Sequence, residues 1–106
     1  MKRNTAQLKE QLIQTGIDEI EKHGIEQLSL RTVAKACGVT HGSPYRHFES
    51  KEGYLKVVLA RLSLFLNQEI NENIDATGSA REQLTQLGLN FIIFAKTYPH
   101  FFEALF

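Results

Sequence analysis

Residues 29–55 read Ser-Leu-Arg-Thr-Val-Ala-Lys-Ala-Cys-Gly-Val-Thr-His-Gly-Ser-Pro-Tyr-Arg-His-Phe-Glu-Ser-Lys-Glu-Gly-Tyr-Leu. Ser29 can accept a hydrogen bond from an otherwise unpaired amide, so it suits a helix N-cap. Leu30, Val33, Ala34 and Cys37 follow at spacings of three and four, which places them on one helical face. Gly38 supplies a residue free to adopt positive φ and stop that helix, and Val39 is an apolar pin for the turn. Thr40 reads as the cap of a second short helix, so the two helices are expected at about 30–37 and 41–48. Pro44 and Phe48, four apart, are expected to face inward. Ser50 caps a third helix with Lys51 and Glu52 in its first turn. Two short helices, a glycine turn and polar or basic tips form the helix-turn-helix plan, whose second helix enters the DNA major groove.

The remainder of the chain is helical in pattern. Asn4 or Thr5 opens a helix that ends at Gly24, with Leu8, Leu12, Ile13, Gly16, Ile17 and Ile20 as its buried stripe. Gly16 within that stripe implies close contact with another helix, at a helix cost of roughly 1 kcal/mol against alanine. Asp18, Glu19 and Glu21 lie largely off the stripe and read as a solvated face. Ile25 and Leu28 are expected to tuck beneath the helix-turn-helix. After Ser50, Leu55, Val58, Leu59, Leu62, Phe65, Leu66, Ile70 and Ile74 keep three–four spacing, which predicts one rod over 51–74, roughly 36 Å long at 1.5 Å per residue. Such a rod is longer than a helix-turn-helix needs and is expected to cross into a second unit. Turn formers at 75–79 interrupt it, and a fifth helix is expected at 80–97. Its stretch from Phe91 to Ala95 is apolar on every side, which predicts burial on every side. Pro99 suits the first position of a sixth helix, which closes on Phe-Phe-Glu-Ala-Leu-Phe.

Composition limits the function classes. The chain has 106 residues with 12 basic and 12 acidic side chains, so total charge does not point to nucleic acid. Its distribution does: residues 1–61 hold ten Lys or Arg against seven Asp or Glu, a net of +3, and residues 62–106 hold two against five, a net of −3. One cysteine permits no internal disulfide, and the reducing cytoplasm is the expected location. The polar start at Met1-Lys2-Arg3 is not expected to act as a secretory signal, and no apolar run is long enough to span a bilayer. Cys37, His41 and His47 lack the paired spacing of a zinc site, so no metal and no cofactor are expected. No phosphate-binding glycine loop, nucleophile elbow or carboxylate pair suggests an enzyme.

The run Gly-Val-Thr-His-Gly-Ser-Pro-Tyr-Arg-His-Phe-Glu-Ser-Lys-Glu over 38–52 closely resembles the DNA-binding domain of the TetR family of bacterial transcriptional repressors. The likeness extends from about Leu8 to Leu59, and Tyr45, His47, Phe48 and Lys51 after Ala34 and Gly38 are its most specific part. It implies an all-α protein: a three-helix, homeodomain-like head over 1–56, then over 57–106 a connecting helix and the first helices of an effector-binding and dimerisation domain. It implies a ligand-responsive repressor that binds a palindromic double-stranded DNA operator as a homodimer and responds to a small-molecule effector. TetR-like proteins are longer, and most of that second domain is expected to lie outside this sequence.

Base reading is expected from the first turn of the recognition helix, where His41 and Ser43 can hydrogen-bond base edges and Gly42 leaves room for a thymine methyl or close backbone approach. Arg31, by the resemblance, adds a planar fork suited to guanine. Tyr45, His47 and Lys51 match the family's backbone-contacting positions, and Ser29 joins them. Arg46 can reach phosphate or only solvent. Taken singly, each residue has a bland explanation: His41 as a surface residue, His47 as a partly buried histidine, Lys51 as a partner for Glu49 or Glu52. Their gathering on one motif favours DNA. Pro44 departs most from the family pattern, which often has leucine there, and proline forfeits one early helix hydrogen bond. The alternative from another class is a helical interaction module that self-associates through its apolar C-terminal helices.

Overall fold

The computed structural model describes residues 4–106, so Met1 to Arg3 of the expected head lie outside the described residues. The described residues form α1 (Thr5–His23), a 3-10 turn (Ile25–Gln27), α2 (Leu30–Ala36), α3 (Ser43–Phe48), α4 (Lys51–Ile70), α5 (Ala80–Thr97) and α6 (Pro99–Leu105), with no strand among them. The all-α expectation holds.

The boundaries of α1 follow from its ends. Asn4 accepts from the Gln7 amide at 2.7 Å while the Gln7 side chain accepts from the Asn4 amide at 3.1 Å, a reciprocal capping box. Gly24 stops the helix at φ 87° with its amide bonded to the Ile20 carbonyl. The buried stripe is Leu12, Ile13, Gly16, Ile17 and Ile20, with Leu8 half-buried at its start. It packs on α4 through a close approach. The Tyr54 hydroxyl donates to the Leu12 carbonyl at 2.6 Å, and a Cβ on residue 16 would stand 2.0 Å from that hydroxyl oxygen. Gly16 is therefore the residue that admits the phenol. Burial pushes the Tyr54 hydroxyl well above its ordinary pKa, so it stays protonated and donates. Phe48 meets the Tyr54 ring edge-on at 5.0 Å, fastening α3 to the same seam.

The rod is shorter than its sequence pattern predicts. Helix α4 ends at Ile70, not Ile74, which makes it about 30 Å long. Asn71 folds back onto the Asn67 carbonyl at 2.7 Å, and Asn73 takes φ 58°. From α5, the Asn90 side-chain amide donates to the carbonyls of Ile70 and Glu72 at 2.9 and 2.8 Å. A tertiary amide thus supplies partners that a continuing helix would otherwise provide. Asp75 then accepts from the amide and hydroxyl of Thr77, which closes the turn and holds its carboxyl below the usual range. Ser79 and Glu82 open α5 with a second capping box.

The expected burial of Phe91–Ala95 on every side is not observed. Phe94 is buried, but Ile92 and Ile93 are 54% and 59% exposed. Only one face of α5 meets α4 and α6, and no other described element covers the opposite face. On the covered side, Phe65, Phe94, Tyr98 and Phe101 join α4, α5 and α6 through ring contacts of 5.1–6.1 Å. Helix α6 also lies along α1, where the His100 ring nitrogen Nδ1 bonds the Glu21 carbonyl at 2.7 Å. One cluster of buried side chains consequently runs from Leu12 in α1 to Phe101 in α6.

Candidate nucleic-acid interface

Local chemistry sets the angle between α2 and α3. Ser29 caps α2 by accepting from the Thr32 amide, and Leu30, Val33 and Ala34 bury its inner face. At its end the Val39 amide bonds the Ala34 carbonyl and the Gly38 amide bonds the Lys35 carbonyl, around Gly38 at φ 71°. This is a Schellman arrangement, which needs a residue tolerant of positive φ at position 38. Val39 is half-buried against the core.

The second helix starts later than Thr40 implies. Helix α3 begins at Ser43, and His41 and Gly42 lie in the turn before it. A helix capped by Thr40 would need an amide at position 44 to bond the Thr40 carbonyl. Pro44 has none. The Thr40 carbonyl instead takes the Ser43 amide at 3.0 Å, in a turn one residue tighter. In the shorter helix Pro44 falls in the first turn, where amides lack intrahelical partners, so it forfeits nothing within α3.

The candidate residues divide accordingly. Arg31 on α2, His41 in the turn, Tyr45 on α3 and Lys51 at the start of α4 are exposed. Ser29, Gly42 and His47 are half-buried, and a Cβ at Gly42 would meet nothing within 4 Å. Ser43 is a correction: its hydroxyl is expected at base edges, yet the residue is 8% exposed and buried beside Pro44 and Phe48 at the inner side of α3. The delayed helix start explains this, since residue 43 now begins the helix and turns inward with its neighbour. Pro44 and Phe48 face the core as expected. Cys37 is half-buried against α1, with Sγ 3.3 Å from the Thr15 hydroxyl, whereas His41 is exposed in the turn before α3.

The junction into α4 is tight. Glu49 adopts φ 66°, the Ser50 amide bonds the Phe48 carbonyl at 2.7 Å, and the Ser50 hydroxyl accepts from the Gly53 amide at 3.0 Å. A Cβ at Gly53 would stand 2.2 Å from the Phe48 carbonyl oxygen, so glycine there lets the two helices meet. The start of α4 presents Lys51 together with amides that have no helical partner, an arrangement suited to phosphate. One cation escaped the sequence reading. Lys9 of α1 sits with Nζ 5.7 Å from the Phe48 ring centre, beside α3. No local pattern signals it, because the approach of α1 to α3 is a product of packing.

This geometry defines an all-helical protein with a helix-turn-helix head. Residues 12–58 match the family model described as bacterial regulatory proteins, tetR family. The HTH-type transcriptional repressor KstR2 of Mycolicibacterium smegmatis is 29% identical over 82 residues, covering 77% of this chain and 40% of that protein. A probable acrEF/envCD operon repressor of Escherichia coli K12 is 40% identical over 43 residues, covering 41% of this chain and 20% of that protein. A crystal structure of a TetR-family transcriptional regulator from Haemophilus influenzae superposes with a TM-score of 0.62 at 26% identity, covering 88% of this chain and 51% of that one. Residues 12–58, which carry the helix-turn-helix, are thus a DNA-binding head of the tetR type, and the remainder of the chain shares its helical course with the Haemophilus influenzae regulator. The chain spans at most about half the length of these relatives.

Proposed function

We propose that the chain forms the DNA-reading part of a transcriptional regulator that binds a palindromic operator as a homodimer and represses nearby genes until an effector binds. The observation that carries this reading is the capped α2–α3 pair, with Pro44 and Phe48 in the core and Arg31, His41, Tyr45 and Lys51 in solvent, inside the segment that matches the family. Arg31 and His41 read base edges, and the open space around Gly42 admits close approach to the groove. Ser29, Tyr45, His47 and Lys51 hold the backbone, and Lys9 adds positive charge beside Phe48 of α3. The head spans 1–56, and α4 carries movement between it and the helices beyond. The cytoplasm, where the operator lies, is its place of action. No helix of the described residues is long and apolar enough to cross a membrane.

Selection from random duplexes with the longer protein should enrich a two-fold symmetric site, with half-sites about 34–36 Å apart. A lack of enrichment, or a site without symmetry, would remove the dimeric operator reading. Lys51→Ala should weaken specific and random DNA alike and reduce the salt slope by about one. Arg31→Ala should cost roughly 1–3 kcal/mol on the specific site alone. Equal losses on both kinds of DNA would take Arg31 out of the base-reading set.

A second reading, self-association through the C-terminal helices, draws on the exposure of Leu84, Leu89, Ile92, Ile93 and Phe106. Light scattering of the 106-residue chain across concentration tests it, and a concentration-independent monomer mass rejects it.

A further inference from the structure

A groove that the DNA reading does not use lies where α1 meets α4 and α6. Its volume is about 470 Å³, within the range of about 300–1,000 Å³ common for small-molecule sites. Its apolar wall includes Phe65, Tyr98 and Phe101. Tyr98 and Phe101 stack at 5.4 Å, and Phe65 stands edge-on to them at 5.1 and 6.1 Å. The rim from α1 carries Asp18 and Glu21, three residues apart and so on neighbouring positions of one helical face.

Among the described lining residues Arg61 is the single Lys or Arg, and it is already engaged. Its guanidinium donates to both carboxylate oxygens of Glu10, at 2.5 and 3.0 Å. That hydrogen bonding, with the attraction of opposite charges, holds the Glu10 carboxyl below the usual range. The charge left over at the groove is therefore the pair of carboxylates, next to aromatic rings. Ring faces and carboxylates both attract cations, and the same groups repel an anion.

We propose that this groove binds an organic cation with an aromatic body, its charge held at Asp18 and Glu21 and its body against Phe65, Tyr98 and Phe101. The occupant touches α1 of the head together with α4 and α6, so its binding bears on how the head is held. The role as an effector rests on the regulator reading; the binding itself does not.

The test is a titration of the isotope-labelled 106-residue chain, without DNA, followed by nuclear magnetic resonance. The probes are 2-naphthylmethyl-trimethylammonium and 2-naphthylacetate, similar aromatic bodies of opposite charge. The cation should give saturable shifts centred on Leu64, Phe65, Tyr98 and Phe101, and the anion should bind at least roughly tenfold more weakly. Replacing both carboxylates, Asp18→Asn with Glu21→Gln, should weaken the cation by roughly tenfold, as two partly exposed charge contacts would. Equal binding of cation and anion overturns the proposal. So do shifts centred on the outer face of α5, an unchanged double variant, or saturation of the same amides by a second copy of the chain without any probe. A flat titration strikes the groove alone, whereas failure to enrich an operator strikes the DNA reading and leaves this result intact.

Discussion

Helices α4 and α5 are of similar length, yet they bury their apolar residues to different extents, Leu64 being the one large apolar side chain of α4 that is exposed. Tyr54, Val58 and Leu62 of α4 are enclosed between α1 and the helices that follow. On α5 only Phe94 is buried, while Leu84, Leu89, Ile92 and Ile93 face solvent. Composition does not separate the two helices. What separates them is the presence of an opposing surface: α1 offers α4 a stripe with a glycine notch, and no described element offers α5 a second face. Apolar periodicity identifies a helix, but burial needs a partner.

The largest test of this contrast is within α5. Phe94→Ala should destabilise the chain by about 3–5 kcal/mol in urea denaturation, because it opens a cavity among Phe65, Tyr98 and Phe101. An effect below 1 kcal/mol would mean that the aromatic cluster does not hold α5. Next is the notch. Gly16→Ala drives a methyl into the Tyr54 hydroxyl and disturbs its bond to Leu12, with an expected loss of about 2–3 kcal/mol despite alanine's better helix propensity. A rise in melting temperature would show that the seam has slack. Ile93→Ser, on the uncovered face, should change monomer stability by no more than about 0.5 kcal/mol. A large loss would reveal a packing partner on that side, and its appearance only at high protein concentration would point to self-association.

The smallest effect concerns the Glu10–Arg61 pair, which bridges α1 and α4 at the surface. The carboxyl is held below its ordinary 4.5 in the folded chain. Its stabilising contribution is therefore present above that value and lost as pH falls through the lowered folded value. Both side chains are well exposed, so the contribution should be under about 1 kcal/mol. Glu10→Gln should flatten this part of the acid limb of stability against pH. Identical acid limbs in the two proteins would mean that the pair contributes nothing to folding.

Much of the head is legible because its determinants are local. Ser29 and Ser50 cap the helices that follow them, and Gly24 and Gly38 adopt the positive φ that ends the preceding ones. Gly16 signals close helix contact, though only the fold identifies Tyr54 as the group admitted. Thr40 misleads as a cap because its helix depends on an amide that Pro44 lacks, a local fact whose consequence is to shift the helix start and bury Ser43.

The sequence by itself determined the six helical segments, the turn at Gly38 and the inward pair Pro44 and Phe48, since hydrogen bonding within a few residues and helical spacing suffice for these. Tertiary structure alone decided that α4 stops at Ile70, where Asn90 arrives from α5, and that Lys9 comes to stand beside Phe48. It also decided that Ile92 and Ile93 remain in water while Phe94 does not. Each of these depends on which surface lies opposite, and residues distant in sequence supply that surface.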